Sequence, residues 1–228
     1  MNAYFQSTIF RKILAALSGL FLILFLLGHL AGNLQLFISG VEGKTQFNKY
    51  AFFMTTNPFV KILSILTYTS IILHVVVTIY LELKSRLARP IGYLVSNNSL
   101  NSTWSSRNMP LLGAILLIFI IIHLKSFWYE MHFGKMPYQI LSDGTKIKDL
   151  HTITVSAFKS PIYTLFYAFS MVVLALHLNH GVVSALQTVG LKTERFNIVF
   201  KYISSFIAFF IPALFALIPI YIYIKNFK

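Results

Sequence analysis

The sequence predicts an all-α integral membrane protein, one domain over residues 1–228 built on five transmembrane helices. Two composition figures and one pattern predict it. Residues of the AVILMFWYC set make up 57% of the chain and charged residues only 11%, where a soluble domain carries about 25% charge. Mean hydropathy is +0.72. Five apolar stretches, Ile13–Phe37, Phe59–Leu81, Leu111–Trp128, Ile162–Val189 and Ile198–Ile224, suit a bilayer crossing, which takes about 20 helical residues. Disorder is excluded, because disordered chains lack aromatic residues and this one has 22 Phe, 12 Tyr and 2 Trp. Cysteine is absent, which excludes disulfides, Cys zinc sites, iron–sulfur clusters within this chain and thioether-attached haem. The formal net charge is +13, from 19 basic and 6 acidic residues. In a soluble protein that balance would point to nucleic acid. In a membrane chain it is read as topology and lipid electrostatics, with no nucleic acid as partner.

Each element follows in order. Arg11-Lys12 precedes the first stretch, which is longer than the apolar core of a cleavable signal peptide. It is read as a first span. Gly40–Asn57 is polar and holds Glu42, Gly43, Lys44 and Asn48. Pro58, Pro110 and Pro161 each sit beside a helix start, where a missing N–H costs little. Glu82–Met109 is rich in Arg, Ser and Asn, and Tyr129–Ser160 holds Pro137, the turn Asp143-Gly144 and several Lys. The third span, at 18 residues, is short, so its ends are expected to extend or the bilayer to adapt. Gly190–Asn197 is brief enough to force the fourth and fifth spans to be antiparallel neighbours. Pro212 and Pro219 lie within the last span and should kink it. No internal repeat is present.

Charge counts by side do not decide orientation, because nine of the 19 basic residues fall on the N-terminal side and ten on the other. The arginines do separate: Arg11, Arg86, Arg89, Arg107 and Arg195 all lie on the N-terminal side. The first span also carries its Arg-Lys pair there, so the N-terminus is expected inside and the C-terminus outside.

The histidines carry the chemistry. Five of the seven lie in predicted spans: His29, His74, His123, His177 and His180. One buried histidine is most often a packing residue, but four successive spans each carrying one is a different observation, since ionisable groups within spans mark function. Residue counts sort them by depth. His29 is 16 residues into the first span and His123 is 12 into the third, both nearer the outer side. His74 and His177 are each 15 residues into spans that run inward, hence nearer the inner side. An outer pair, His29 with His123, and an inner pair, His74 with His177, are what two bis-histidine haems stacked across a membrane require. Gly28, Gly32, Gly113 and Gly181 would admit a flat macrocycle near the backbone, although each taken singly is better read as helix packing.

His177 and His180 share one helix face. As a zinc pair they lack acidic or Cys partners in the spans; one binding haem and the other standing near a propionate is the better reading, and local chemistry leaves open which does which. Cations for propionates are sought at both faces: Arg11, Arg86, Arg89 and Arg107 inside, with Arg107 the first choice, and Lys44, Lys49 and Lys125 outside. Most of these charges are better read singly as topogenic or snorkelling. Trp128 and Tyr129 read as interfacial belt residues.

Several segments together resemble a known family. They are Gly28-His29-Leu30-Ala31-Gly32-Asn33, Leu73-His74, Ser106-Arg107-Asn108-Met109 leading to His123-Leu124, and above all Ala175-Leu176-His177-Leu178-Asn179-His180-Gly181 running on to Gly190. Over nearly the whole chain they resemble the membrane-anchor dihaem cytochrome b subunit of bacterial succinate dehydrogenase and quinol:fumarate reductase, single-chain five-helix type. The resemblance implies His29, His74, His123 and His177 as axial ligands of two haem b groups, paired across the first and third and the second and fourth spans. It chooses His177 over His180 as ligand. One departure stands out: some dihaem fumarate reductases carry a glutamate two positions before the fourth-span ligand, and here that position is Ala175.

The resemblance also implies a division of labour. A flavoprotein subunit with FAD handles the dicarboxylate, an iron–sulfur subunit relays electrons, and this subunit anchors both and exchanges electrons with a quinone, menaquinone for this type. The implied location is the bacterial cytoplasmic membrane. Two other readings compete. A transporter with a histidine proton relay would show broken helices and repeats. A dihaem cytochrome b of a hydrogenase or formate dehydrogenase would keep haem and quinone and change the soluble partner.

Overall fold

The computed structural model describes residues 7–88, 102–193 and 197–226. Arg89 and Arg195 lie outside the described residues. Five helices are long and apolar enough to cross a membrane: Thr8–Phe37, Pro58–Leu87, Met109–Phe133, Pro161–Thr188 and Asn197–Asn226. The chain is an all-α, multi-pass membrane bundle.

The elements are α1 Thr8–Asn33, extended by a 3₁₀ turn Leu34–Phe37, then α2 Gly40–Thr56 and α3 Pro58–Leu87. A single turn, α4 Trp104–Arg107, leads into α5 Met109–His123, a π-helical segment Leu124–Tyr129 and α6 Glu130–Phe133, which together make the third span. A hairpin of β1 Tyr138–Ile140 and β2 Lys146–Lys148 is followed by α7 Leu150–Ala157, α8 Pro161–Thr188 and α9 Asn197–Asn226.

Local chemistry sets the boundaries. Ser7, Asn57 and Ser160 cap α1, α3 and α8 by accepting hydrogen bonds from backbone N–H groups of the first turn. Pro58 and Pro161 occupy the first helical positions. At the other end of α8, the Leu191 N–H donates to the Leu186 carbonyl and the Gly190 N–H to the Gln187 carbonyl. With Gly190 at φ +79°, this is a Schellman stop. It reverses the chain so that α9 packs back along α8, the most extensive helix pair in the bundle. Pro212 and Pro219 both lie inside α9, which remains one helix through Asn226.

α8 is the central helix, packed on α9, α1 and α5, while α3 lies along α1 and barely touches α5. The outer surface is apolar: Leu165 is 69% exposed, Ile62 64% and Phe206 61%. Such a surface suits the apolar interior of a bilayer. The buried clusters lie between helices, around Tyr167, Leu30 and Ile211 and around Ile23, Leu178 and Ala208. Arg11 over the Tyr80 ring at 4.0 Å and Lys84 bonded to Thr8 place the start of α1 beside the end of α3. This side is called the N-terminal face below and the opposite side the C-terminal face.

Two segments read as polar connections are folded at the C-terminal face. Gly40–Asn57 is mostly helix α2, and the chain between the third span and Ser160 forms the hairpin and α7. The hairpin pairs Tyr138 with Lys148, Gln139 with Ile147 and Ile140 with Lys146. Its Asp143-Gly144 turn places Gly144 at φ +82°. A buried polar network ties these pieces together. Asn48, fully buried, donates to Gln139 Oε1 at 2.8 Å and Asp149 Oδ1 at 2.8 Å, and accepts from the His151 N–H at 2.9 Å. Asp149 also accepts from Thr152 and pairs with Lys44 at 2.5 Å. Burial alone would raise the Asp149 carboxyl, but Lys44, Asn48 and Thr152 together hold it at about 2. Lys44 is therefore spent on Asp149, which corrects its place among the candidate propionate cations.

Candidate haem-binding site

One large cavity, of about 2300 Å³, runs through the bundle between α1, α3, α5 and α8. Ordinary ligand pockets span about 300–1,000 Å³, so this one can take a cofactor or two. Its walls include His29, His74, His123, His177 and His180.

The histidines face one another in two pairs. The His29 and His123 rings have centroids 5.7 Å apart with planes at 89°, and the His74 and His177 rings are 6.4 Å apart at 72°. Metal–imidazole bonds of about 2 Å put two rings on opposite sides of one metal about 6 Å apart, centre to centre. Both pairs are near that spacing. The vertical distance between them follows from three helices. On α1, Gly19 lies against His74 and His29 comes ten residues later. On α5, Gly113 touches His177 and His123 comes ten residues later. On α8, Tyr167 contacts His123 and His177 comes ten residues later. Ten residues rise about 15 Å, so the pairs stand half a bilayer apart.

Each ring has its own support. His74 Nδ1 donates to the Ala15 carbonyl at 3.1 Å, with Ser18 Oγ at 3.3 Å, which leaves Nε2 as the unprotonated nitrogen. His123 stands in an aromatic box of Phe119, Phe127 and Tyr167, with its Nδ1 3.4 Å from the Tyr167 hydroxyl. The π-helical segment begins directly after His123, an irregularity common at functional positions. His29 stacks on Phe25 and has Asn33 Nδ2 3.4 Å from its Nε2. His177 Nδ1 is buried without a hydrogen-bond partner. Four imidazoles in facing pairs and open space beyond the Gly28 and Gly181 backbones fit b-type haem, which takes two protein ligands per iron. No group of three or more His, Asp or Glu placed to hold a metal ion occurs among the described residues, so His177 and His180 are not joined by further ligands of that kind.

The glycines divide. Gly28 and Gly181 border open cavity, whereas a Cβ at Gly32 would lie 2.4 Å from the Tyr50 ring. Gly32 is thus a packing glycine that seats α2 against α1. Gly113 makes only ordinary contact with His177.

The candidate cations also divide. Arg107 and Arg86 line the cavity, as do Ser106 and His180. Arg107 is exposed and donates from Nη1 to the Ser102 carbonyl and to Ser102 Oγ. Arg86 pairs with Glu82 at 2.6 Å. Arg11 lies over Tyr80 instead, outside the lining. At the C-terminal face, Lys49 is on the exposed side of α2 and Lys125 pairs with Glu130 at 3.8 Å. Neither they nor Lys44 line the cavity, while Lys61 and, at the other end, Lys12 do. Sequence reasoning missed Lys61, although its place in the first turn of the second span was a readable sign. It also missed Ser18, Gly19 and Tyr167, whose importance depends on contacts far apart in the chain.

Family models, curated proteins and solved structures all return no match to this chain.

Proposed function

We propose that this protein is the membrane anchor and electron-transfer subunit of a succinate:quinone oxidoreductase. The observation that carries the reading is the two facing histidine pairs, ten residues apart on three helices within one cavity. His29 and His123 would hold one haem b, and His74 and His177 the other. Each bound haem supplies one-electron transfer through its iron. The chain's own work is to hold the rings. The Ala15 carbonyl fixes the tautomer of His74, and the aromatic box fixes the plane of His123. Arg107, Arg86 and His180 stand where propionates of the N-terminal-side haem would need donors.

An iron–sulfur subunit would dock at the N-terminal face, with a FAD-bearing flavoprotein beyond it, and a quinone, menaquinone by resemblance, would exchange electrons from the lipid. The dicarboxylate chemistry lies in the partner. The N-terminal face is read as cytoplasmic and the membrane as the bacterial cytoplasmic membrane. Ala175 offers no carboxylate for proton movement on α8, so a proton route there would differ from that of the glutamate-bearing relatives.

The test is purification from native membranes followed by addition of a short-chain quinol. Flavoprotein and iron–sulfur subunits should copurify, and the quinol should reduce b-type haem. Copurification with a hydrogenase or formate dehydrogenase would move the chain to that complex. Haem that quinol cannot reduce would overturn the reading.

A further inference from the structure

The hydrogen bonds to the His74 ring come from α1. Its Nδ1 lies between the Ala15 carbonyl at 3.1 Å and Ser18 Oγ at 3.3 Å. Ser18 is 5% exposed and its own proton is directed to the Leu14 and Ala15 carbonyls, at 2.8 and 3.1 Å. A hydroxyl whose proton is used this way presents its lone pairs to the imidazole N–H. Gly19 completes the seat, because a Cβ there would lie 3.1 Å from His74 Cε1. Across the cavity, His177 Nδ1 has no partner at all. Among the described residues, the hydrogen bonds to the two rings of this centre come from α1. At the other pair the support is of a different kind, since the Tyr167 hydroxyl beside His123 can donate or accept.

We propose that Ser18 is a positioning residue for His74, accepting its Nδ1–H so that Nε2 faces the haem and the redox potential of that haem is lowered. The inference rests on the haem reading above. An imidazole that donates its second N–H becomes a more basic ligand, and a more basic ligand favours ferric over ferrous iron. Losing Ser18 removes one of two acceptors and leaves the Ala15 carbonyl, so the potential rises while the ligand stays.

The test is a redox titration of the haem absorbance in wild type, Ser18→Ala and Ser18→Thr. Ser18→Ala should shift one midpoint upward and leave the second unchanged, and Ser18→Thr, which keeps the hydroxyl, should restore it. The shifted centre should be the one that disappears in His74→Ala. Selective loss of that centre in Ser18→Ala, rescued by Ser18→Thr, would support the same role. Unmoved midpoints, equal movement of both, or movement of the centre that disappears in His29→Ala would overturn it. A wild-type protein without haem would instead overturn the function proposed above, which keeps the two failures distinct.

Discussion

Replacing His74 or His177 with Ala should leave purified protein holding about one haem b per chain instead of about two. The two variants should lose the same centre. Replacing His29 or His123 should remove the other. The reason is geometric. Each ring faces one partner ring, at 6.4 Å in one pair and 5.7 Å in the other, and the pairs stand about 15 Å apart along three helices. A bis-histidine centre that loses one ligand loses its fixed geometry, while the second centre keeps both of its ligands and its own aromatic or backbone support. His180→Ala is the control. His180 lies one turn from His177 and lines the same cavity, yet no facing histidine pairs with it, so both haems should remain. Reduced-minus-oxidised spectra with haem quantification check all five variants. Loss of the same centre in His74→Ala and His29→Ala would contradict the pairing.

Replacing Asn48 with Leu should destabilise the C-terminal cap by about 3 kcal/mol and leave haem content intact. Asn48 is fully buried, and its side chain joins α2 to the hairpin through Gln139, to Asp149 and to the His151 backbone. Leucine fills the volume but takes the acceptor from the His151 N–H, the donor from Gln139 Oε1 and one of the donors from Asp149 Oδ1. Unpaired buried polar groups cost more than the bonds contribute when made. Asp149→Ala should cost about as much, because it removes the acceptor shared by Asn48 Nδ2, the Thr152 N–H and hydroxyl, and Lys44. The same network makes the cap acid-sensitive. The Asp149 carboxyl is held at about 2, below its ordinary 3.8. Its stabilisation is full above about pH 4 and is lost as the pH falls towards 2. Protease accessibility of the Tyr138–Lys148 hairpin, followed against pH, measures this. Wild type should become cleavable only in acid, and Asn48→Leu already at neutral pH. Equal protection of both proteins at neutral pH would contradict the account.

The spans were legible because apolar length is a strong signal, and the boundaries of the fourth and fifth lie within a few residues of those found. The depth of each histidine was legible for the same reason: a span is a ruler with a known rise per residue. The C-terminal cap was harder to read. α2 carries Glu42, Lys44 and Lys49 and looks like a polar connection. Its buried residues Gly43, Phe47 and Ala51 recur every four positions, which is a helix signal, but too few apolar residues accompany it to stand out. The partners of Asn48 lie about ninety to a hundred residues away, and no local pattern announces them. A free cation and one bound to Asp149 look alike in sequence, which is why Lys44 reads there as a propionate candidate. The third span, Leu111–Trp128 by composition and short enough for its ends to be expected to extend, continues as helix through a π segment to Phe133.

The most direct measurement is haem quantification on the purified chain expressed in haem-replete cells. About two b-type haems per chain are expected, both low-spin with two nitrogen ligands, since each facing histidine pair would hold one of them. A colourless, haem-free protein, or one with a single haem per chain, would contradict it.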